Sequence, residues 1–505
     1  MQHLNVARKH DQEQEPIQLL GNMVNRHGLI AGATGTGKSV SLRKMAESLS
    51  DAGVPVFLVD VKGEFSGLTK RGLPEGKVAE RAQKFGLDET YYHGFPVRFW
   101  DVYGQLGIPL RIKLSSIGSM LLARLLGLNK IQEGVLNLVF KVADDNEWLL
   151  VDLKDLRALL KHVADHASKY KTTYGSVSSV TIGAIQRQLL SLEQDGGDLL
   201  FGEPAIELGD FCQIQDGRGL VNVLIAERLL RSPSSFSAFL LWLLAQLYTD
   251  FPEVGDLELP KLVLFFDEAH LLFKDASQEL LSQIEQVVRL IRSKGVGVYF
   301  CTQSPLDLPQ TILGQLGNRI QHALRAYTPK DQKAVRAAAE TFRSNPKLNV
   351  AETISTLGVG EALVSFLDEK GMPQPVEYAL ILVPASQLTP LGAADLSQLI
   401  EQDPLYEKYK DTVDNYSAFE AILEERQVLQ EADVETRIQN SPVKGERQVA
   451  SDPSPIVGFF RGLFGLRKHQ RAGMGYEISN QLGKEFKQGL SKGITRTILG
   501  VIKKR

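Results

Sequence analysis

Residues 27–39, with the sequence HGLIAGATGTGKS, decide the fold of this chain. The first six residues are apolar or small apart from His27, which is typical of a short buried strand, and the pattern of residues 37–50 predicts a helix. Between them, GATGTGKS matches the motif G-x-x-x-x-G-K-S/T at every constrained position. In such a loop, backbone N–H groups converge on a phosphate, and the helix start adds its positive dipole end. The stretch therefore predicts a strand, a phosphate-binding loop and a helix in succession.

Two residues of the loop have predicted roles in binding a nucleotide and its metal ion. Lys38 is predicted to reach the β- and γ-phosphate oxygens of a nucleotide, and Ser39 is predicted to ligate Mg²⁺. The predicted nucleotide-binding residues are Gly32, Ala33, Thr34, Gly35, Thr36, Gly37, Lys38, Ser39 and Val40.

A pair of acidic residues further along the chain indicates that the nucleotide is hydrolysed as well as bound. The run LVLFF at 262–266 reads as a buried strand, and it ends in Asp267 and Glu268. Asp267 is predicted to bind the Mg²⁺ ion through its water shell, and Glu268 to polarise the attacking water. Together with the loop, this predicts an ATPase that uses ATP and Mg²⁺.

A GTPase is the rival interpretation, because Asp60-Val-Lys-Gly63 fits the motif D-x-x-G. The guanine-binding motif N-K-x-D is absent from the sequence, and the nearest string is TPKD at 328–331. ATP is therefore favoured, and Asp60 and Glu64 are predicted to lie near the nucleotide at the end of the second strand.

The letters DEAH at 267–270 also name a group of nucleic-acid helicases. In those helicases the box follows the phosphate loop much more closely, whereas Lys38 and Asp267 are 229 positions apart here. Their arginine-rich finger motif has only a weak counterpart, QRAGMG at 470–475, with Met474 where an arginine is needed. The DEAH letters are therefore interpreted as a coincidence.

Strand and helix patterns alternate along the chain, which predicts an α/β fold with a parallel-rich central sheet and right-handed crossovers. The predicted buried strands are 27–32, 55–60, 219–225, 262–266 and 296–302, and helices are predicted at 37–50, 233–248 and 277–292. Residues 360–383 alternate around a turn at 369–373, which predicts a hairpin at the sheet edge.

These patterns predict six regions. They are the first part of the ATPase core (1–114), a helical insertion (115–205), the second part of the core (206–390), surface helices (391–440), a linker (441–455) and a basic amphipathic tail (456–505).

Composition predicts an ordinary globular protein: 43% of the 505 residues are apolar and 23% are charged, with a net charge of −3. Two cysteines, Cys212 and Cys301, are too few for a disulfide framework or a four-ligand metal site. The polar N-terminus does not resemble a signal peptide, and no apolar run approaches the ~18–20 residues of a membrane span. A cytoplasmic location is expected.

The last fifty residues differ in charge from the rest of the chain. Residues 456–505 carry eleven Lys/Arg and two acids, a net +9, which leaves −12 for the first 455 residues. Apolar residues recur every four positions from Ile478 to Ile498, which predicts a basic amphipathic helix. DNA phosphates, an anionic membrane surface and an acidic face of the same protein would each attract such a helix.

The motifs HGLIAGATGTGKS, VDVKGEF, FFDEAHLLF, IRSKGVGVYFCTQSP and LGQLGNRIQHALRAYTPKD occur in this order within residues 20–385. In order and spacing they resemble the HerA-like branch of the HerA/FtsK ring ATPases, in particular a poorly defined bacterial group. The resemblance implies a RecA-like ATPase core, assembly into a ring, most commonly a hexamer, and DNA as the substrate.

The resemblance also implies roles for residues outside the two motifs above. Gln303 matches the family's sensor, which contacts the γ-phosphate or the attacking water. Arg319 is the best match to the arginine finger that enters a neighbouring subunit's site, with Arg325 and Arg292 as alternatives. HerA motors usually carry a small β-barrel before the phosphate loop, whereas 31 residues precede Gly32 here, so docking of a HerA-type nuclease is in doubt.

The sequence thus predicts an ATP-hydrolysing ring motor, a DNA translocase or helicase of HerA type. The alternative is a nucleotide-gated oligomeric scaffold, or an ATPase at a membrane surface, that does not act on DNA.

Overall fold

A computed structural model describes residues 2–175, 177–255, 257–273 and 278–439, and every structural statement below concerns these residues. The residues up to Ala432 form one compact unit. The predicted linker at 441–455 and the predicted tail at 456–505 lie outside the described residues.

The strands of the described chain fall into one large sheet and one small hairpin. In chain order they are β1 (His3–Lys9), β2 (Pro16–Leu20), β3 (Gly28–Ala31), β4 (Val56–Asp60), β5 (Val97–Asp101), β6 (Ile108–Pro109), β7 (Ile214–Gln215), β8 (Arg218–Gly219), β9 (Val221–Ile225), β10 (Leu262–Phe266), β11 (Val296–Thr302), β12 (Asn318–Gln321), β13 (Glu361–Ser365) and β14 (Glu377–Ile381). Strands β7 and β8 pair only with each other within the described residues, and the others form the sheet β2-β1-β14-β13-β12-β3-β11-β10-β4-β9-β5-β6.

The described residues form seventeen α-helices. They are α1 (Lys38–Asp51), α2 (Gly76–Lys84), α3 (Leu114–Leu125), α4 (Lys130–Asp145), α5 (Leu153–Asp165), α6 (Ala167–Tyr174), α7 (Ser179–Leu192), α8 (Asp198–Leu200), α9 (Pro233–Asp250), α10 (His270–Phe273), α11 (Gln278–Ile291), α12 (Gln310–Leu313), α13 (Pro329–Glu340), α14 (Val350–Thr356), α15 (Ala393–Glu401), α16 (Tyr406–Tyr409) and α17 (Ala418–Gln439).

The centre of the sheet is parallel, as the sequence predicts. Strand β3 pairs in parallel with β11 and β12, and β10 pairs in parallel with β11 and β4. All five strands predicted from apolar runs are present, and β10 and β11 have the predicted bounds. Because parallel neighbours end at the same edge, the residues that follow β3, β4, β10 and β11 come together there. The predicted fold class is confirmed.

The antiparallel end of the sheet differs from the prediction. Strands β13 and β14 form the predicted hairpin, but β14 also pairs with β1, and β2 lies beyond β1 at the edge. The prediction of an edge hairpin was therefore wrong. The N-terminal residues were interpreted as a polar start, although Leu4 and Val6 alternate with exposed residues and are buried in β1. In β1, Ala7 to Lys9 pair with residues of β14 that lie some 370 positions away along the chain, so sequence pattern could not identify this pairing.

Between β6 and β7 the chain is mainly helical. Helices α3 and α9 pack together, and α4, α5 and α7 pack on one another around leucines that are fully buried. Helix α9 is buried on most of its circumference, as expected of a helix in the core. In the described part of the chain, no helix combines the length and the apolar character needed to cross a membrane. The boundaries predicted for a separate insertion stay a prediction.

The segment after β14 is held against the sheet and the helical region by buried polar contacts. The Arg98 guanidinium pairs with the Asp403 carboxylate at 2.8 Å, and Arg111 donates to the Tyr409 carbonyl at 2.8 Å. The Ser417 hydroxyl donates to the buried Asp155 carboxylate at 2.5 Å. Residues 391–432 are thus attached both to the sheet and to the helical region.

The centre of the sheet should be intolerant of a single added methyl group at Gly28. A Cβ there would overlap the Tyr299 ring and approach the Asn318 carbonyl oxygen to 2.8 Å. We expect Gly28→Ala to cost about 1–3 kcal/mol of unfolding free energy, measured by denaturant titration. Gly134→Ala in α4 is the matched control, because a Cβ there meets nothing within 4 Å and alanine favours a helix. Equal stability of the two variants would contradict the close approach of β3 and β11.

Candidate functional site

The phosphate loop connects β3 to α1, and its lysine is turned back onto it. Lys38 Nζ donates to the carbonyl oxygens of Gly32 at 2.7 Å and Ala33 at 3.1 Å, and the side chain is buried. Gly35 and Gly37 have φ values of 76° and 111°, in the left-handed region that glycine adopts without strain. The predicted loop residues are therefore brought together in one compact turn at the start of α1.

A histidine that the sequence analysis missed supports this loop from beneath. The ring nitrogens of His322 lie 2.7 Å from Ser41 Oγ and 2.8 Å from the Glu361 carbonyl oxygen. A Cβ on Gly32 would come within 2.5 Å of the His322 Cβ, so loop and histidine are in close contact. Complete burial lowers the pKa of His322 to about 4, so the ring is neutral at pH 7. No sequence pattern singles out His322, which directly follows the mostly polar segment NRIQ at 318–321.

The first acid after β10 has the environment of a metal ligand. Asp267 is 6% exposed, and its Oδ2 atom has no hydrogen-bond partner within the described structure. Burial, and then the neighbouring Glu268 charge, raise the pKa of Asp267 to about 6. A buried carboxylate oxygen without a partner is costly, and a cation would satisfy it. Mg²⁺ prefers oxygen ligands of this kind, so Asp267 fits the predicted ion.

The second acid is held from two sides. One carboxylate oxygen of Glu268 accepts from Lys62 Nζ at 2.8 Å, and the other lies 3.4 Å from Gln303 Nε2. The ring nitrogen Nδ1 of His270 also lies 3.4 Å from Glu268. Burial opposes ionisation of Glu268, but the Lys62 ammonium and Gln303 together lower its pKa. Glu268 has a φ of 47°, an uncommon backbone conformation for a residue with a side chain.

Asp60, the acid at the end of β4, contacts the backbone of the loop that follows it. Asp60 accepts four backbone N–H groups, from Lys62, Gly63, Glu64 and Phe65, at 2.8–3.2 Å. Its carboxylate therefore organises its own loop. In the motif VDVKGEF, Asp60 and Glu64 were predicted to lie near the nucleotide, whereas the contact with Glu268 is made by Lys62, which no sequence pattern indicated.

Two of the three candidate arginines, Arg319 and Arg325, donate to backbone carbonyls of their own chain. Arg319 lies on β12, where it donates to the carbonyls of Leu313, Leu316 and Thr341 at 2.9–3.1 Å, and burial lowers its pKa. Arg325 donates to the carbonyls of Ser355 and Leu357. These contacts fit structural roles within the subunit, and the arginine finger stays a prediction.

The sequence profile of the family "Helicase HerA-like C-terminal" matches residues 5–505.

The chain belongs to this family.

The HerA-like chain is similar to a DNA double-strand break repair helicase HerA of Sulfolobus acidocaldarius, with 24% identity over 366 residues. That match covers 69% of the chain and 64% of the relative, so the chain spans less than two thirds of the relative's length. The plasmid coupling protein TrwB, solved with a non-hydrolysable GTP analogue, is 15% identical and has a TM-score of 0.50. TrwB matches 78% of this chain, and the match covers 92% of TrwB. VirB4 of Thermoanaerobacter pseudethanolicus is 16% identical over 75% of this chain and 96% of its own, with a TM-score of 0.46.

At this identity the likeness to TrwB concerns the fold alone. It confirms the RecA-like fold class. The HerA-like chain is thus a member of a family of P-loop ATPases.

The buried neutral state of His322 predicts a pH-dependent stability. The pKa of His322 is about 4 in the folded chain and 6.5 in the unfolded chain. The unfolding free energy is therefore not reduced by His322 above pH 6.5, and it falls as the pH drops from 6.5 towards 4. The loss reaches about 3 kcal/mol at most. We expect His322→Gln to lose less unfolding free energy between pH 7 and pH 5 than the wild type. His3→Gln at an exposed position should keep the wild-type slope, and identical slopes in all three proteins would refute the assignment.

Proposed function

We propose that this HerA-like chain hydrolyses ATP at the edge where β3, β10 and β11 end, and that it uses the energy to move DNA. The observation that carries the ATPase proposal is the convergence of Lys38, Asp267, Glu268 and Gln303 from these three adjacent strands. Asp267 offers an unsatisfied buried oxygen, and Glu268 lies within 3.4 Å of Gln303.

Binding begins at the phosphate loop. Lys38 exchanges its two loop carbonyls for β- and γ-phosphate oxygens, which are stronger acceptors because they are charged. Gly32–Val40 surround the phosphates with backbone N–H groups. Ser39 and Asp267 would hold Mg²⁺, which supplies positive charge to the phosphate oxygens.

Glu268 and Gln303 then act on the attacking water. As the water oxygen bonds to the γ-phosphorus, the bond from that phosphorus to the β–γ bridging oxygen breaks, and Glu268 accepts the water proton. Gln303 orients the water by hydrogen bonding. ADP and inorganic phosphate are the products.

The proposal for DNA rests on family membership and on similarity to a protein named as a DNA repair helicase. We propose a homo-oligomeric ring, a hexamer by analogy with the family, in which a neighbour supplies Arg319, Arg325 or Arg292 to the transferring phosphoryl group. Arg319 would have to leave three carbonyls to do so. The basic residues 456–505 would add affinity for DNA or another anionic surface, and docking of a nuclease has no supporting contact in the described residues.

The two proposed catalytic side chains should give different phenotypes. Lys38→Ala should abolish ATP binding, because no other group in the loop neutralises the β- and γ-phosphates. Glu268→Gln should bind ATP normally and lose hydrolysis by about 10²-fold or more. Binding is measured with a fluorescent ATP analogue and hydrolysis by phosphate release, with exposed Lys70→Ala as the control. Equal loss of ATP binding in both variants would remove Glu268 from the role of water activator.

DNA should raise the ATPase rate in a salt-dependent way. Contacts to phosphates release counterions, so the DNA concentration for half-maximal stimulation should rise steeply between 50 and 200 mM salt, by about 10³-fold or more for six phosphate contacts. Single- and double-stranded DNA are compared on the full chain. No stimulation by either at low salt would refute the motor and favour a nucleotide-gated scaffold, for which anionic vesicles would then be the stimulating surface.

A further inference from the structure

The Lys62–Glu268 ion pair is the shortest contact made by the proposed water activator. Lys62 Nζ lies 2.8 Å from Glu268 Oε1, and the two side chains are 37% and 7% exposed. Lys62 follows β4, whereas Glu268 follows β10, so the contact joins two separate loops. The proposed roles of Lys38, Ser39 and Asp267 do not involve Lys62.

The fold fixes where Lys62 stands. Strands β4 and β10 pair in parallel, with Val59 opposite Phe266, so the loops that follow them leave the same sheet edge side by side. The loop of Lys62 is shaped by Asp60, whose buried carboxylate accepts four consecutive backbone N–H groups. Because the backbone of this loop is already fixed, the Lys62–Glu268 ion pair costs less conformational entropy than an ion pair between two flexible side chains on an open surface.

The site needs a cation at this position. Asp267 and Glu268 are adjacent buried carboxylates, and their negative charges repel one another. Lys62 is the lysine in contact with Glu268, and although burial opposes its charge, the Glu268 carboxylate raises the pKa of Lys62. The ammonium therefore balances one of the two carboxylates before any nucleotide binds.

The contact also sets the direction of the carboxylate. Lys62 holds Oε1 at 2.8 Å, a full ion-pair distance, while Gln303 Nε2 and His270 Nδ1 each approach Oε2 to 3.4 Å, longer than the usual hydrogen bond of about 2.9 Å. A water molecule can replace these weak contacts without disturbing the strong one. The side of Glu268 that faces Gln303 is then the side that receives the water.

We propose that Lys62 is a positioning residue for hydrolysis, which holds Glu268 by Oε1 so that Oε2 and Gln303 share the attacking water. This inference rests on the proposed ATP hydrolysis. Lys62 acts through Glu268 and does not bind the nucleotide.

The test compares Lys62→Met, Lys62→Arg and the control Lys70→Met in the full-length protein. Lys70 is exposed, and within the described structure its side chain makes no hydrogen bond or ion pair. Lys62→Met should lower kcat about 10–10²-fold, because a misplaced catalytic group costs up to about 10² in rate, while KM and the affinity for a fluorescent ATP analogue change less than about threefold. Lys62→Arg should recover most of kcat, since it restores the cation beside Glu268, and Lys70→Met should match the wild type.

A double variant separates action through Glu268 from a general structural effect. Adding Lys62→Met to Glu268→Gln should cost nothing further in kcat, because the residue that Lys62 positions is already inactive. Melting temperatures of all variants show whether the chain remains folded.

Three results would overturn the inference: an unchanged or increased kcat in Lys62→Met, a loss of ATP affinity comparable to that of Lys38→Ala, or a further tenfold loss in the double variant. An increased kcat would mean that the ion pair restrains Glu268, and lost affinity would mean that Lys62 binds phosphate. Absence of ATP hydrolysis by the wild type is a different outcome, since it refutes the proposed function itself.

Discussion

Parallel pairing of β3 with its neighbours β11 and β12 is the constraint on which the rest of the described structure depends. Parallel strands end at a common edge, so this pairing places the phosphate loop beside the residues that follow β11, and β10 adds its two acids one strand further on. The Tyr299 ring on β11 and the Asn318 carbonyl oxygen on β12 leave Gly28 no space for a side chain. Steric fit at the centre of the sheet therefore fixes the relative positions of the groups at its edge.

The charges at that edge are arranged in compensating pairs. Lys38 is satisfied by two carbonyls of its own loop, and Lys62 by Glu268, whereas one oxygen of Asp267 is left without a partner in the described residues. Charges removed from water are tolerated when they have partners, and an unsatisfied oxygen marks a position where a ligand gains most. In the proposed function, Lys38 exchanges its two carbonyl contacts for phosphate oxygens and Lys62 keeps its contact with Glu268. The Asp267 oxygen is the position proposed for the metal ion.

Neutral and structural polar groups surround these charges. The neutral ring of His322 connects α1 to β13, and the Asp60 carboxylate accepts hydrogen bonds from backbone N–H groups. Arg319 is likewise tied to three carbonyls beneath β12. These residues hold the loops in place, so a titratable or cationic residue near a nucleotide site need not take part in its chemistry.

The sequence by itself determined the core fold, the phosphate loop and the acid pair, because local period and short motifs encode them. Apolar runs predicted the five central strands, and G-x-x-x-x-G-K-S with its flanking strand and helix predicted the loop. Pairing over long distances was decided only in the tertiary structure. Strand β1 joins β14 across about 370 residues, and Lys62 meets Glu268 across 206 positions. Such contacts depend on which strands become neighbours, and no local pattern of residues records that choice.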